Sequence, residues 1–564
     1  MTRSLLLIAG TFMVSLVIGA GTSLLDGRAS EVQDPPEVTI GERLFLETRF
    51  AEFFASFVEV GGDVNALLPS GDPVVDLTAT TAAPLPGPFA GTSINCRACH
   101  LVDEQVDAPG GGMRTYADFA QRSPIPNRLD GHGTTPRNSP TLVNASLKRD
   151  GGLLLHFDGE FATLPDLVKA TLTGRNYGWL PRQSDDAIAH VARVIREDDG
   201  HGELAADFGG LSYSVLLTGT DTSIPVDLKL PRAFRVDVGN ASDAEIVDAV
   251  ATLIGVYTEQ LAFSTDERGN FNLSPFDVFL EQNGLPRKPA HGESAINYSR
   301  RLARAISSLE QAAAVQFVDV NPNTLDGSFA FHDRPFRFGV GELRGLKIFF
   351  AEPGAAAAGT EEHATGNCIA CHAAPNFTDF AFHNTGVTQI EFDEVHGAEA
   401  FEQLHIPDLN ARRANPDEYL PATSAHPDAS GRFRAPASPG SPGHTDLGLW
   451  NVFANPDFPK PQTRIFRALC QESASACRTD ALLDRAIARF KTPGLRDLGH
   501  SNPYMHNGAF HALADVIDLY RTTSVLMRSG HLRNGAPELA EIRLSPADVD
   551  ALVAFLRALD EDYQ

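Results

Sequence analysis

The sequence predicts a mainly α-helical chain made of two similar domains, with long loops and helical insertions between their elements. Three observations lead there. Apolar residues recur at three and four positions over 164–172, 185–197, 243–261, 294–318, 480–490, 512–522 and 545–558, the period of a helix with one buried face. Residues 41–46 and 342–350 read as two versions of one amphipathic helix, a weak internal duplication. Each is followed by a Cys-x-x-Cys-His pentapeptide, at Cys96–His100 and Cys368–His372. Pro- and Gly-rich stretches over 69–88 and 416–444 read as loops or insertions.

The pentapeptides carry chemistry. Two thiols three positions apart can bond to the vinyl groups of a porphyrin, and the adjacent imidazole then becomes the proximal iron ligand, which is the attachment signature of haem c. A redox dithiol would sit in a strand–helix unit, and a zinc site would need a second Cys or His pair close by; neither context is visible. Cys96, Cys99, Cys368 and Cys371 are therefore expected to hold two covalently bound haem c groups, with His100 and His372 on the irons. The predicted fold is two cytochrome c-like haem domains, one over 31–340 with a helical insertion and one over 341–564.

Haem c is attached outside the cytoplasm, and the N-terminus agrees. Arg3 precedes an apolar run from Leu5 to Ala20, so 1–30 is read as a secretory signal leading to the periplasm, with an uncleaved membrane anchor as the alternative. In that oxidising compartment Cys470 and Cys477, which no His follows, are expected to close a local disulfide. A formal charge of −26 argues against nucleic acid and anionic membrane as partners and is compatible with a basic electron-donor protein.

Ordered segments around the two motifs carry a resemblance. They are Gly131-His132-Gly133, then Pro136 to Asn144, Phe157-Asp158-Gly159, Phe377-Thr378-Asp379 with Phe382 to Gly386, Phe490 to Asp497, Pro503 to Gly508, and a last helix from Leu544 to Leu559. In these the chain resembles the bacterial di-haem cytochrome c peroxidase superfamily, which includes the MauG-type enzymes. The resemblance implies that hydrogen peroxide reacts at the N-terminal haem, on His100, with His132 as the mobile ligand that departs on activation. The C-terminal haem, on His372, would hold and relay electrons. Its second ligand would be Tyr520, where the peroxidases have Met and MauG has Tyr; Met505 and His506 are the alternatives. The resemblance also implies a calcium ion, with Asn138 as side-chain ligand and Ser501 and Pro503 giving carbonyl oxygens, the donors this cation prefers. Electrons would come from a small donor protein, a cytochrome c or cupredoxin, or from an oxidisable protein substrate. A homodimer is compatible with it.

Two departures bear on mechanism. The family has a Trp between the haems where this chain has Phe157, which forms no comparable radical. The segment from Thr171 to Leu180 holds no carboxylate where the family has a distal Glu, and Glu160 and His156 are the nearest replacements. The haem motifs also lie 272 positions apart (368 − 96), so a large insertion is expected over 243–318, with a smaller one at 416–444. The competing reading is a non-catalytic di-haem electron-transfer cytochrome.

Overall fold

The computed structural model describes residues 34–68, 94–100, 135–147, 149, 151–320, 322, 335–354, 364–471 and 477–561. The expected signal sequence, the 69–88 loop and His132 lie outside the described residues.

The first core forms where two helices cross. Helix α1 (Pro36–Phe45) opens with Pro in its first turn, where no N–H partner is needed, and Glu37 there complements the helix dipole. Short helices α2 (Glu52–Glu59) and α3 (Cys96–Cys99) follow, then α4 (Leu164–Leu172), α5 (Ser184–Glu197), α6 (Glu203–Asp207) and α7 (Tyr213–Thr218). Helix α8 (Asp243–Gln260) starts at a capping box: Ser242 Oγ accepts from Glu245 N–H while the Glu245 carboxylate accepts from Ser242 N–H. It is buried on most sides, through Ile246, Val247, Val250, Ala251, Leu253 and Ile254, and α1, α4 and α5 all pack on it. Gly41 lets α1 lie against α8, because a Cβ there would collide with the Leu253 carbonyl and Tyr257.

The second core repeats that crossing. It contains α9 (Pro275–Gln282), α10 (Ala295–Gln311) and α11 (Val340–Phe350), with two later helices, α15 (Leu513–Ser529) and α16 (Val549–Arg557). Gly345 on α11 faces the Ala551 carbonyl and Phe555 on α16 as Gly41 faces Leu253 and Tyr257. The aromatic pairs match as well, Phe45 with Tyr257 at 5.1 Å and Phe349 with Phe555 at 5.2 Å between ring centroids. The duplicated helix expected from the sequence is thus present in both halves.

Three expectations shift. Residues 243–261 are no insertion: α8 closes the first core as α16 closes the second. The division between cores falls between Phe263 and Phe276 rather than at 340, because Phe276, Phe279, Tyr298 and Leu302 are buried in the second core. Helix α10 also ends at Gln311, short of the expected 318, since Val318 instead pairs with Phe338 in an isolated bridge.

A third core is the larger insertion. Strands β1 (Phe382–His383) and β2 (Phe490–Lys491) pair antiparallel, Phe382 opposite Lys491, and the intervening residues build α12 (Val387–His396), α13 (Gln462–Gln471) and α14 (Thr479–Arg485) around Phe401, Phe433, Trp450, Ile465 and Leu482. The 416–444 stretch lies inside this unit. The helix expected over 480–490 stops at Arg485 because Phe490 is taken into β2. Cys470 and Cys477 form the expected disulfide. No helix among the described residues is long and apolar enough to cross a membrane.

Candidate functional site

The second pentapeptide forms a tight turn. Asn367 enters it in the left-handed region, Cys368–Ala370 make a 3₁₀ turn, and the His372 N–H donates to the Cys368 carbonyl at 2.7 Å. The His372 ring is set by its other nitrogen: Nδ1–H donates to the Phe377 carbonyl at 2.8 Å, which leaves the Nε2 lone pair for a metal. Burial lowers the basicity of this imidazole, favouring the neutral form that ligation requires. Burial also pushes the Cys368 thiol up to about 12, unlike the depressed thiol of a redox dithiol.

His372, Cys368 and Cys371 line a cavity of ≈ 290 Å³ that Tyr520 and Met505 also line. Tyr520 projects from α15, and its phenol is raised by burial and by the two neighbouring cysteines. His506 reaches the cavity too, but its ring lies flat on Phe490, 3.6 Å between centroids at 11°. That stacking holds the ring by its face and leaves its in-plane nitrogens, so His506 stays beside Tyr520 and Met505 as a candidate second ligand. The residues present therefore fit a porphyrin held by two thiols and His372, with Tyr520 within the same cavity.

The first pentapeptide has the same internal bond, His100 N–H to the Cys96 carbonyl at 2.9 Å. Asn95 ties it to the end of α1 through the Leu46 carbonyl at 2.8 Å. Burial pushes His100 down to about 4, with the Pro140 carbonyl nearby opposing the shift, although Nδ1 makes no bond of good geometry. Burial likewise pushes Cys96 up to about 11, and Tyr177 Oη lies 3.2 Å from its sulfur.

Between the two motifs runs a tight hairpin in which Leu155 pairs with Phe161 and which carries Phe157 at its turn. His156 and Gly159 take positive φ, 62° and 72°, and Phe157 lines the cavity. Its carbonyl accepts from the Lys491 N–H at 2.7 Å, docking the hairpin on β2. Arg137 grips the turn from below, donating from Nη1 to Asp158 at 2.5 Å and from Nε and Nη2 to both oxygens of Asp446 at 2.5 and 2.8 Å. Arg434 of the third core pairs with Glu160, whose carboxylate also meets His156 Nδ1 at 3.2 Å.

This corrects the expectation for Glu160. Arg434 and His156 hold its carboxyl well below the ordinary carboxylate range despite burial. His156, which meets this carboxylate, is also a neighbour of His100. A clamped carboxylate there suits an ion pair between cores better than proton delivery to peroxide.

Asn138, Ser501 and Pro503 do converge on the cavity wall. As placed, the Asn138 carboxamide nitrogen donates to the Pro503 carbonyl while its oxygen accepts from Ser139 N–H at 3.0 Å. Calcium would need the amide turned, oxygen toward Pro503. These three donors are fewer than the roughly six to eight oxygens the cation takes, so water would complete the shell.

Sequence reasoning missed Tyr177 and Arg434. Nothing in the local sequence marks Tyr177 as a neighbour of Cys96, and Arg434 lies in the inserted core, whose docking no motif announces.

No protein-family model matches the chain. It is 27% identical to a cytochrome-c peroxidase, IdrP2 of Denitromonas iodatirespirans, over 198 residues, which is 34% of this chain and 36% of that protein. It is 35% identical to the methylamine utilization protein MauG of Methylophilus methylotrophus over 71 residues, 13% of this chain and 20% of that one. The alignments with curated relatives span only 18–36% of those proteins' own lengths. Among solved structures, the diheme peroxidase BthA of Burkholderia thailandensis aligns over 94% of this chain and 86% of its own, at 17% identity and a TM-score of 0.43. In sequence the chain is similar to cytochrome-c peroxidases and to MauG, the resemblance its motifs imply.

Proposed function

We propose that this chain is a periplasmic di-haem c oxidoreductase that reduces hydrogen peroxide. The overall reaction takes two electrons and two protons to convert one peroxide to two waters. Bound haem c would supply the redox chemistry, attached at Cys96 and Cys99 and at Cys368 and Cys371. The chain's own residues divide the labour. His100 and His372 would hold the irons. Tyr520 would be the second residue holding the group at His372, which would make that site an electron store, and a hard phenolate oxygen there would favour the oxidised iron over what Met would give. The His100 site would take the peroxide, with His132 as the residue that would yield to it. The Arg137 and Arg434 ion pairs hold the Phe157 hairpin between the sites. Asn138, Ser501 and Pro503 would carry calcium.

One observation carries this reading: Tyr520 and His372 line a single cavity, which supports Tyr520 as the residue that would close the second site and the first site as the one for an incoming oxidant. The electron source would be a small cytochrome c or cupredoxin, or an oxidisable protein. The test is peroxide-dependent oxidation of a reduced donor by holoprotein matured with haem c. Turnover supports the reading, and a protein inert to peroxide in both ferric and half-reduced states overturns it. That second outcome would leave an electron-transfer cytochrome, the reading favoured by Phe157 and by the clamped Glu160.

A further inference from the structure

The two haem segments are one backbone used twice. Pro140 and Pro493 each set a carbonyl near the proximal His, His100 and His372 respectively. Four residues on, Asn144 and Asp497 take φ of 57° and 59°. Each segment then enters a hairpin, Leu155 pairing with Phe161 and Tyr504 with Phe510. Within them His156 and Met505 have φ of 62° and 71°, and Gly159 and Gly508 have 72° and 63°. Positive φ at a non-glycine residue is uncommon, so two coincidences at matching positions are not expected of unrelated loops. Extended caps at Thr163 and Ala512 start the helices α4 and α15, with Leu164 and Val168 buried where Leu513 and Ile517 are buried.

From the hairpin onward the offset is constant at 349 (508 − 159), and it sets Thr171 against Tyr520 (520 − 171). A second contact agrees: the chain leaving α4 brings Tyr177 against Cys96, so this end of the helix lies beside the first haem motif. Thr171 is a poor ligand there. Its hydroxyl donates to the Leu167 carbonyl at 2.9 Å within the helix, and it is too short to reach where a tyrosine oxygen would.

We infer that Thr171 occupies, at the His100 site, the position from which Tyr520 closes the His372 site, so that no ligating atom from this helix closes the first haem and its sixth position is left to a ligand that a small exogenous one can displace. The inference rests on the proposed role of Tyr520. It makes Thr171 a positioning residue that governs access by its size and lack of a ligating atom.

The test uses cyanide rather than peroxide. Holoprotein is titrated in the ferric and half-reduced states and followed by visible and paramagnetic-resonance spectra. Wild type takes up cyanide at one haem. Thr171→Met and Thr171→Tyr, which put a ligating atom at that position, lose this uptake and alter the spectrum of the first haem. Tyr520→Thr opens the second haem, and cyanide then binds at both. Should Thr171→Tyr fail to fold, the more flexible Met variant and Tyr520→Thr still decide. The inference is overturned if folded Thr171→Met keeps wild-type uptake and spectra, or if Tyr520→Thr still binds cyanide at one haem. Absence of peroxide turnover alongside the expected cyanide pattern would sink the proposed enzyme and leave the placement of Thr171 standing.

Discussion

Tyr520 and Glu160 show how burial sorts polar side chains into different tasks. Tyr520 is a neutral phenol whose proton burial and two neighbouring cysteines hold in place. Replacing it by Phe removes the oxygen and keeps the ring, so the spectrum of the second haem is expected to change while the first is unaffected; unchanged spectra would refute the assignment. Glu160 behaves oppositely, because Arg434 stabilises its charge. Its folded pKa lies below the ordinary 4.5, so its contribution to stability is complete above that value, begins to fall below it, and is lost as the pH passes the depressed folded value. Glu160→Gln leaves Arg434 short of a partner in a buried setting and is expected to cost about 3 kcal/mol near neutral pH. Denaturant melts at descending pH check this: the gap between wild type and variant should narrow below about pH 4.5. The two cysteine–histidine turns were legible because a pentapeptide encodes them, and the place of Tyr520 on the cavity wall because its flanking segment does. Tyr177 was not, since a contact with Cys96 across 81 positions leaves no local pattern.

At the scale of elements, periodicity located helices well and assigned them to cores poorly. Residues 243–261 have the pattern of a buried helix, and that pattern is the same whether the helix belongs to an insertion or closes a haem domain. What decides it is the partner, and Gly41 and Gly345 are the marks of that partnership because each lies under a crossing backbone. Gly345→Ala should therefore push α11 off α16 and cost about 1–3 kcal/mol by overpacking, read as a lower denaturation midpoint with haem bound. A neutral substitution would mean the crossing is looser than described. The repeated hairpins were hidden for a related reason: His156 and Met505 share a backbone conformation but no chemistry.

Across the whole molecule, the inserted third core acts on the space between the haem sites. Asp446 and Arg434 belong to it, and through Arg137, Asp158 and Glu160 they grip the hairpin that carries Phe157. Arg137→Met would leave Asp158 and Asp446 buried without their shared cation, at a cost of about 3–5 kcal/mol. The same change should slow electron exchange between haems, measured by rapid reduction of one site and relaxation to the other. Unaltered stability and exchange would show that the insertion is a bystander. The account as a whole turns on two equivalent haem sites made unequal, one closed by Tyr520 and one left open. The most direct test is the paramagnetic-resonance spectrum of half-reduced holoprotein before and after hydrogen peroxide. Loss of the first haem's ferric signal together with appearance of a ferric signal from the second, which gives up its electron, is the predicted result; a half-reduced spectrum that peroxide leaves unchanged would contradict it.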